Sequence, residues 1–432
     1  MVEYRGGPFR ALRVHARVPD CLALRLARPG TVLLDSARPD ADSGHGGALL
    51  FEAPVRIIAA ETLADVRPAL AAADAALAEG FHVAGMLAYE AGAAVVDGLA
   101  PTEADPSVPL VWFGVYRAPE RLGALGTDFN ALADGASIRD LTFALSREEY
   151  RDRIDRARAH IRDGDVYQVN LTAPLTFRTD AAPAALYAAL RAGQPVPYGG
   201  FLNLGETTLL SVSPELFVRV DTGPDGRTIT ARPMKGTTPR GATPAADDRL
   251  AAELVARAKD RAENLMIVDL LRNDVSRVAE AGSVRVPALF AAERYATLTQ
   301  MTSTVTARLR PDVGLSDVLT ATFPCGSVTG APKRRAVEIL RMLEDGPRGA
   351  YCGAIGYAAP CQAGGLGTAA FSVAIRTATL TPDAGGGFRG RYSVGSGVVW
   401  DSQADDEFDE CLLKARVLKR LAGAPIRVPE DP

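Results

Sequence analysis

Three strand-like segments follow one another near the C-terminal end of the chain, and they constrain its fold more than any other feature. The segments are CGAIGYAA from Cys352, TAAFSVAIRTATL from Thr368 and RYSVGSGVVW from Arg391. Strands joined by short turn-forming stretches pair as antiparallel hairpins, whereas parallel strands need a long crossover. The segments therefore predict antiparallel sheets with helices packed outside them, which is an α+β fold.

A stretch without sustained periodicity divides the 432 residues in two. Residues 121–138 are rich in Gly, Ala and Asp, which is typical of a linker. We expect an N-terminal region at residues 1–138 and a second domain at residues 146–421. The second domain begins with a capping-box signature, Ser146 followed three residues later by Glu149. Apolar periodicity and end signals predict further helices at residues 63–78, 247–272, 334–343 and 405–421.

Composition excludes several classes of protein. The formal charge is −4, without the basic excess that binds a phosphate backbone, so nucleic acid is not an expected partner. The N-terminus lacks the apolar core of a signal peptide, so we expect neither secretion nor a membrane partner. An odd number of scattered cysteines, without a C-x-x-C pair, predicts reduced thiols in a cytoplasmic protein. The cysteines are Cys21, Cys325, Cys352, Cys361 and Cys411.

Two predicted helices each carry a pair of acidic residues three positions apart. Asp260 and Glu263 form one pair, and Glu407 and Glu410 form the other, so each pair shares a helix face. If the two faces oppose each other, they make an all-oxygen site suited to Mg²⁺. The alternative is that both pairs are solvated surfaces. Lys414 lies four residues after Glu410 and can pair with it.

Two further residues are candidates for catalysis. Lys235 in ARPMKGTTP would emerge near the end of a strand, where lost solvation favours a nucleophilic or basic amine. Glu215 in SVSPELF lies between two apolar runs, where burial would raise its pKa toward that of a general acid. The alternatives are an ordinary solvated lysine and a capping carboxylate.

Three elements of the second domain can receive an anion. The segment FPCGSVTGAPK lacks the Gly-Lys-Ser/Thr ending of a phosphate loop, but it remains a small-residue turn running into a helix. The GSG of Gly395, Ser396 and Gly397 offers a backbone nest beside a strand, and Arg376 ends the apolar run VAIRT. Together they fit a substrate that carries carboxylates.

These segments occur in the order found in the chorismate-utilising enzymes. SPELF, PMKGT, DRAENLMIVDLLRND, FPCGSVTGAPK, YCGAIGY, AIRT and the GSGVVWDS segment with its following acids resemble that family over residues 146–421. LLDSA at residues 33–37 extends the resemblance into the N-terminal region, which is similar to that of anthranilate synthase component I. The resemblance implies a four-layered α/β/β/α sandwich with two large antiparallel sheets, and Mg²⁺-dependent chemistry on chorismate.

The resemblance also assigns residues. Glu263 and Glu410 resemble the Mg²⁺ ligands, with Asp260 and Glu407 as water-mediated or outer carboxylates, and Glu215 resembles the general acid that protonates the departing 4-hydroxyl. Many members have a His where this chain has Gln300. The residues that resemble the substrate-binding set are Gly236, Thr237, Gln300, Tyr351, Arg376, Gly395, Ser396, Gly397 and Lys414.

Three positions separate the reactions of the family, and one of them is Gln300, since the His of other members is linked to the anthranilate-type reaction. Isochorismate and salicylate synthases carry a water-activating lysine where this chain has Gln168, so the resemblance favours ammonia as the nucleophile. Anthranilate synthases have Ala at the position of Lys235, whereas PMKGT is similar to the aminodeoxychorismate synthases. In those enzymes the lysine attacks C2 and ammonia then attacks C4. The implied product is 4-amino-4-deoxychorismate, a precursor of 4-aminobenzoate and folate.

Partners and alternatives follow from the same resemblance. The chain has no G-x-C-x-G nucleophile segment, so ammonia is expected from a separate glutamine amidotransferase subunit or from solution. The alternatives are an anthranilate synthase component I and a non-catalytic subunit that binds chorismate or tryptophan. In related enzymes an LLDS-type segment and a Pro-x-Pro-Tyr segment line a tryptophan pocket, and the matching residues here are Ser36, Pro197 and Tyr198.

Overall fold

The structure, a computed structural model, describes residues 18–38, 47–295 and 298–431. Short 3₁₀ turns lie at Tyr89–Ala91, Ala131–Ala133 and Gly326–Val328. The α-helices are α1 (Val18–Leu26), α2 (Leu63–Ala78), α3 (Gly92–Val95), α4 (Thr127–Asn130), α5 (Arg147–Arg162), α6 (Pro183–Gly193), α7 (Pro244–Ala256), α8 (Ala258–Ser276), α9 (Leu315–Thr322), α10 (Lys333–Leu343), α11 (Ala404–Lys414) and α12 (Arg416–Ala422).

The strands are β1 (Val32–Asp35), β2 (Ala48–Phe51), β3 (Arg56–Ala60), β4 (His82–Leu87), β5 (Val111–Tyr116), β6 (Glu120–Leu122), β7 (Arg139–Phe143), β8 (Gln168–Thr179), β9 (Tyr198–Asn203), β10 (Thr208–Ser213), β11 (Leu216–Gly223), β12 (Gly226–Arg232), β13 (Met234–Pro239), β14 (Arg285–Arg294), β15 (Leu298–Arg308), β16 (Gly330–Ala331), β17 (Ala354–Pro360), β18 (Leu366–Val373), β19 (Thr377–Pro382) and β20 (Phe388–Val398).

These strands form two ten-stranded sheets. Sheet A has the order β16-β8-β20-β19-β10-β9-β1-β2-β6, with β7 also paired to β8. Sheet B has the order β13-β15-β12-β11-β18-β17-β4-β5-β3, with β14 also paired to β15. Neighbouring strands run antiparallel, as in the long β8–β20 ladder and the β17–β18 hairpin. The predicted α+β fold with antiparallel sheets is confirmed.

Alternating side chains show how the layers stack. On β1, Val32 and Leu34 pack in a core with sheet B strands, whereas Leu33 between them packs with helices α5, α6 and α10–α12. The outer face of sheet B is covered by α2, α9 and α8, the last through Ile267 and Leu271. The order of layers is therefore helix, sheet, sheet, helix, and the four-layered sandwich implied by the resemblance is confirmed.

One predicted strand proves to be two. TAAFSVAIRTATL is divided between β18 in sheet B and β19 in sheet A, and the chain crosses between the sheets in between. Arg376 lies in this crossing with a left-handed φ of 53°. The prediction of a single strand was wrong because period-2 apolar patterning persists through a crossing when both sheets bury their strands. The crossing places Arg376 next to the inter-sheet core.

The predicted helix boundaries hold at some ends and fail at others. Ser146 accepts from the Glu149 amide at 3.2 Å and the Glu149 carboxylate accepts from the Ser146 amide at 2.8 Å, so the capping box is confirmed. The helix predicted at residues 247–272 is instead α7 and α8, separated by Arg257 with an extended ψ of 118°. The helix predicted at residues 405–421 is likewise interrupted, at Ala415.

Strands from both halves of the chain share both sheets. β1 pairs with β9 in sheet A, and β4 pairs with β17 in sheet B. Residues 121–138 contain α4 and a 3₁₀ turn, and the division into regions 1–138 and 146–421 stays a prediction. Within the described ranges no helix has both the length and the apolar character needed to cross a bilayer. Cys325, Cys352, Cys361 and Cys411 are unpaired thiols, and the side chain of Cys21 lies outside the described residues.

Candidate active site

Lys235 lies where two sheets and one turn meet. It belongs to β13, and its Nζ lies 3.4 Å from the carbonyl oxygen of Ser327 in the 3₁₀ turn. From sheet A, a Cβ atom built on Gly397 would lie 3.2 Å from the same Nζ. Gly236 follows Lys235 in β13. Its left-handed φ of 81° is readily adopted only by a residue without a side chain. The amine is thus held beside the Gly397 backbone.

Glu215 lies in the short connection from β10 to β11 and is 3% exposed. Burial raises the pKa of its carboxyl to about 7, although the Ser327 hydroxyl, Lys235 and Arg376 act in the opposite direction. Its Oε1 has no hydrogen-bond partner in the described part of the chain. A carboxyl that keeps a proton near neutral pH and has a free oxygen can serve as a general acid.

Other buried polar atoms near this point also lack partners. Both amide atoms of Gln168, Oε1 of Gln300 and the hydroxyl of Tyr392 have none among the described residues. Gln168 Nε2 would lie 2.7 Å from a Cβ on Gly397, and Gln300 pairs with Thr237 across β13 and β15. Native proteins leave few buried polar groups unsatisfied, because each one costs free energy. Several unpartnered polar atoms close to one another are expected where a polar ligand binds.

The four predicted metal-face acids come from two helices that both reach this site. Asp260 and Glu263 lie on α8, and Glu407 and Glu410 lie on α11. Burial raises the pKa of Glu263, and the charges of Asp260 and Glu407 raise it further, against Lys235 and Lys259. α8 also packs on β13, since a Cβ on Gly236 would lie 2.9 Å from Asp260 Cγ.

Lys414 connects the acidic helix to the GSG segment. Its Nζ lies 2.7 Å from Glu410 Oε1 and donates to the Gly395 carbonyl at 2.5 Å. Burial opposes ionisation of Glu410, but Lys414, Lys235 and Lys259 outweigh it and lower the pKa of this carboxyl. The pairing predicted from the four-residue spacing is confirmed, and it lies in the site.

The acids fit a hard, oxygen-seeking ion. Among the residues that the structure describes, no three His, Cys, Asp or Glu side chains converge into a preassembled metal cluster. Glu263 has no hydrogen bond or ion pair there, so its oxygens are open to a ligand. Mg²⁺ takes one or two protein carboxylates and keeps several water molecules, so a complete protein cage is not required. The residues present fit Mg²⁺.

Arg376 has no anionic partner in the described ranges. Burial and the charge of Arg416 lower the pKa of its guanidinium, whereas Tyr392, Tyr295 and Tyr351 act in the opposite direction. Tyr351 is 8% exposed, and Ser396 is buried with its hydroxyl 2.9 Å from the Tyr150 hydroxyl. A half-buried guanidinium without a carboxylate partner costs free energy that an acidic ligand would recover. The arrangement therefore favours an acidic ligand.

The three residues of the predicted tryptophan pocket lie together. Asp35 pairs with Gly199 across β1 and β9, so the adjoining Ser36 and Tyr198 are neighbours, and both are buried, as is Pro197. The Ser36 hydroxyl donates to the Arg38 carbonyl at 2.9 Å. Tryptophan binding there stays a prediction.

Two residues of this site escaped sequence reasoning. Ser327 was included only in a turn predicted to hold an anion, yet it touches both Lys235 and Glu215. Tyr392 lies in β20 near Arg376, and no signal in the sequence distinguishes it from other buried strand residues. Gln168, which in the resemblance distinguishes the type of reaction, also lies beside Gly397.

Comparison with known proteins finds relatives with chorismate-pathway names. An aminodeoxychorismate synthase from Streptomyces griseus is 46% identical over 275 residues, which are 64% of this chain and 36% of that protein. Aminodeoxychorismate synthase component 1 from Escherichia coli (strain K12) is 41% identical over 296 residues, 68% of this chain and 62% of that protein. The crystal structure of anthranilate synthase component I from Streptococcus pneumoniae TIGR4 has a TM-score of 0.71 at 25% identity, covering 86% of this chain and 92% of that one.

The match therefore spans little more than a third of the Streptomyces relative, and about three fifths of the Escherichia coli relative. The family described as chorismate binding enzyme matches residues 33–420, which is most of the present chain. With the fold, the unpaired Arg376 and the polar site around Lys235 in agreement, the chain belongs to the family of chorismate-binding enzymes.

Proposed function

We propose that the chain aminates chorismate at C4 to give 4-amino-4-deoxychorismate, as component I of an aminodeoxychorismate synthase. The observation that carries the proposal is the placement of the Lys235 amine beside Gly397 and within electrostatic reach of the buried Glu215 carboxyl. This arrangement brings a nucleophile and an acid together in one polar region. The unpaired Arg376 supports an acidic substrate.

In the first step Lys235 gives up its proton to solvent and attacks C2 of the ring as the free amine. The double bonds shift toward C4, and the 4-hydroxyl leaves as water with a proton from the Glu215 carboxyl. Burial suits Glu215 to this role because it keeps the proton on the carboxyl up to about pH 7. Lys235 is then joined to C2 as a secondary ammonium group.

In the second step ammonia attacks C4, and the double bonds return to their original positions. The Lys235 nitrogen leaves C2 as a neutral amine, and the new C4 ammonium group returns a proton to Glu215. One chorismate and one ammonia thus give one 4-amino-4-deoxychorismate and one water, with both side chains restored. Gln168 offers no base to activate water, which agrees with ammonia rather than water as the nucleophile.

The remaining predicted residues bind and orient the substrate in this proposal. Arg376, Lys414 and the backbone of residues 395–397 face its carboxylates. When bound, Mg²⁺ would neutralise the ring carboxylate and would be held by Glu263 and Glu410, with Asp260 and Glu407 beside them. Ammonia would come from a glutamine amidotransferase subunit. The proposed reaction takes place in the cytoplasm.

A second candidate is the anthranilate synthase reaction, favoured by the likeness to anthranilate synthase component I. That reaction releases pyruvate and gives an aromatic product. It needs no lysine nucleophile, so Lys235 separates the two candidates.

The test is to incubate the purified chain with chorismate, Mg²⁺ and ammonium salt and to identify products by mass spectrometry. We expect a non-aromatic amine that retains the enolpyruvyl group. Lys235→Ala should lose this product, whereas Lys419→Ala, which removes an exposed lysine of α12, should not. Anthranilate with released pyruvate from the wild-type chain, or full activity of Lys235→Ala, would overturn the proposal.

A further inference from the structure

Strand β8 has a gap along its outer edge. β16 pairs with this edge only at Gln168 and Val169, and β7 pairs with it only from Leu175 onward. Between these pairings no strand of the described chain covers the edge. A buried strand edge leaves backbone N–H and C=O groups that need other partners.

Two side chains fill the gap. Arg348 donates to the Asn170 carbonyl at 2.8 Å, and the Glu344 carboxylate accepts from the Thr172 amide at 2.8 Å and from its hydroxyl at 3.0 Å. Arg348 and Glu344 are joined by two hydrogen bonds of 2.8 and 2.7 Å. Arg348 also donates to the Val328 carbonyl at 2.7 Å. The ion pair thus takes the place of a missing strand.

The opposite edge of β8 carries part of the candidate active site. Asn170 pairs with Gly397 and Thr172 pairs with Gly395, so the two residues held by the ion pair are those beside the GSG segment. Val328 follows Ser327, whose carbonyl lies against Lys235. The ion pair therefore contacts residues next to two elements of the candidate site. These are the GSG segment, through β8, and the Ser327 turn, through Val328.

Two residues from the N-terminal half of the chain, Tyr89 and Glu90, contact Arg348. The Glu90 carboxylate accepts from the backbone amides of Arg348 at 2.7 Å and Gly349 at 3.1 Å. The Arg348 guanidinium lies 4.4 Å from the centre of the Tyr89 ring. With the Arg348 side chain only 3% exposed, little freedom is left to the pair.

We infer that Arg348 and Glu344 are positioning residues, which set the 395–397 backbone and the Ser327 turn for chorismate. Stability alone is a weak reason for such a pair, since apolar residues of similar volume often replace a buried ion pair without loss. This ion pair differs in that it also binds the Asn170 carbonyl and the Thr172 amide, which apolar replacements would leave without partners. The inference rests on the proposed function for the identity of the ligand.

The test compares Arg348→Lys with a matched control. Lysine keeps the charge but lacks the planar fork that reaches Asn170, Val328 and Glu344 together. The control is Arg191→Lys, since Arg191 forms a buried ion pair with Asp35 at 2.6 Å on β1, five strands from β8 in sheet A. Thermal unfolding, kcat, KM for chorismate and chorismate affinity by calorimetry are measured for each.

For Arg348→Lys we expect a higher KM and a fall of about 10²-fold in kcat/KM, the size of effect that a misplacement of about 1 Å produces. Arg191→Lys should lose stability while keeping the wild-type KM. If Arg348→Lys does not fold, Glu344→Gln, which keeps an acceptor for Thr172, is measured in its place. The inference would be overturned if Arg348→Lys, or Glu344→Gln in its place, had the same KM and kcat as Arg191→Lys.

Failure of the proposed function can be distinguished from failure of the positioning inference. A wild-type chain that binds chorismate but makes another product, or none, overturns the amination proposal only, and the affinities then decide the positioning role. A wild-type chain that does not bind chorismate overturns both.

Discussion

The Lys235 amine lies so near Gly397 that a Cβ added to Gly397 would stand 3.2 Å from Nζ. The same Cβ would stand 2.7 Å from Gln168 Nε2, closer than real Cβ contacts. The φ of Gly397 is outside the left-handed region, so alanine meets a contact and no backbone strain. We expect Gly397→Ala to displace Lys235 and to lower kcat by about 10² fold.

The control for this variant is Gly385→Ala. Gly385 lies between β19 and β20, where a Cβ added to it would have no atom within 4 Å, and it does not have a positive φ. Both variants are assayed for chorismate turnover and thermal unfolding. Unchanged turnover in Gly397→Ala would contradict the placement of Lys235 as the attacking group.

Glu215 should govern the alkaline side of the pH–rate profile. Because burial raises the pKa of its carboxyl to about 7, the proton needed by the leaving hydroxyl is present below this pH and is lost above it. At constant free ammonia concentration, we expect kcat/KM for chorismate, which reports groups of the free enzyme, to fall above about pH 7. Glu215→Gln, which cannot donate as an acid, should lower kcat by about 10²–10⁴ fold.

The same shift predicts a sign for stability. The folded state keeps a proton on Glu215 between its ordinary pKa of 4.5 and about 7, whereas the unfolded state has lost it. The contribution of Glu215 to the free energy of unfolding therefore falls as pH rises through this window. Chemical unfolding of wild type and Glu215→Gln at several pH values measures this contribution. A difference in free energy of unfolding between the two proteins that does not vary with pH would contradict the prediction.

Much of the site could be predicted because its signals are local. The spacing of three between acids places Asp260 with Glu263, and Glu407 with Glu410, wherever the two helices lie. The spacing of four predicted the Lys414–Glu410 pair, which has an N–O distance of 2.7 Å.

The rest depends on contacts between segments distant in sequence. The sheet change at Arg376 leaves the apolar alternation intact, so the sequence reads as one strand. Ser327 meets Lys235 from 92 positions away, and the filling of the β8 edge by Arg348 spans 178 positions. Neither has a periodic signal, because the partner is a backbone carbonyl that any residue supplies.

Glu263 should determine the response to Mg²⁺. Its carboxylate has no ion-pair partner among the described residues, and Asp260 and Glu407 disfavour its charge, so a divalent ion would relieve the repulsion. We expect Glu263→Ala to lose Mg²⁺-dependent turnover and to lose the stabilisation that Mg²⁺ gives the wild type, about 2.7 kcal/mol at 100 times Kd. Asp406→Ala removes an exposed acid of α11 and serves as the control. Wild-type turnover that is constant across a Mg²⁺ titration would rule out the metal assignment.

Lys333 and Asp274 form a buried ion pair that joins the start of α10 to the end of α8. Nζ lies 2.8 Å from Oδ2, and the two side chains are 11% and 7% exposed. Lys333→Met would leave the Asp274 carboxylate buried without its cation, so we expect the free energy of unfolding to fall by about 3–5 kcal/mol at pH 7. The double variant with Asp274→Leu removes both charges and should recover most of this loss.

Acid should lessen the defect of the single variant. Burial raises the pKa of Asp274 and Lys333 opposes this effect, so the carboxyl of Lys333→Met takes up a proton at higher pH than in the wild type. Protonation removes the uncompensated charge, and the loss of stability should therefore be smaller at pH 5 than at pH 7. Urea unfolding of wild type, single and double variants at both pH values tests this. Equal loss in single and double variants, at either pH, would mean that Lys333 contributes by packing rather than by charge.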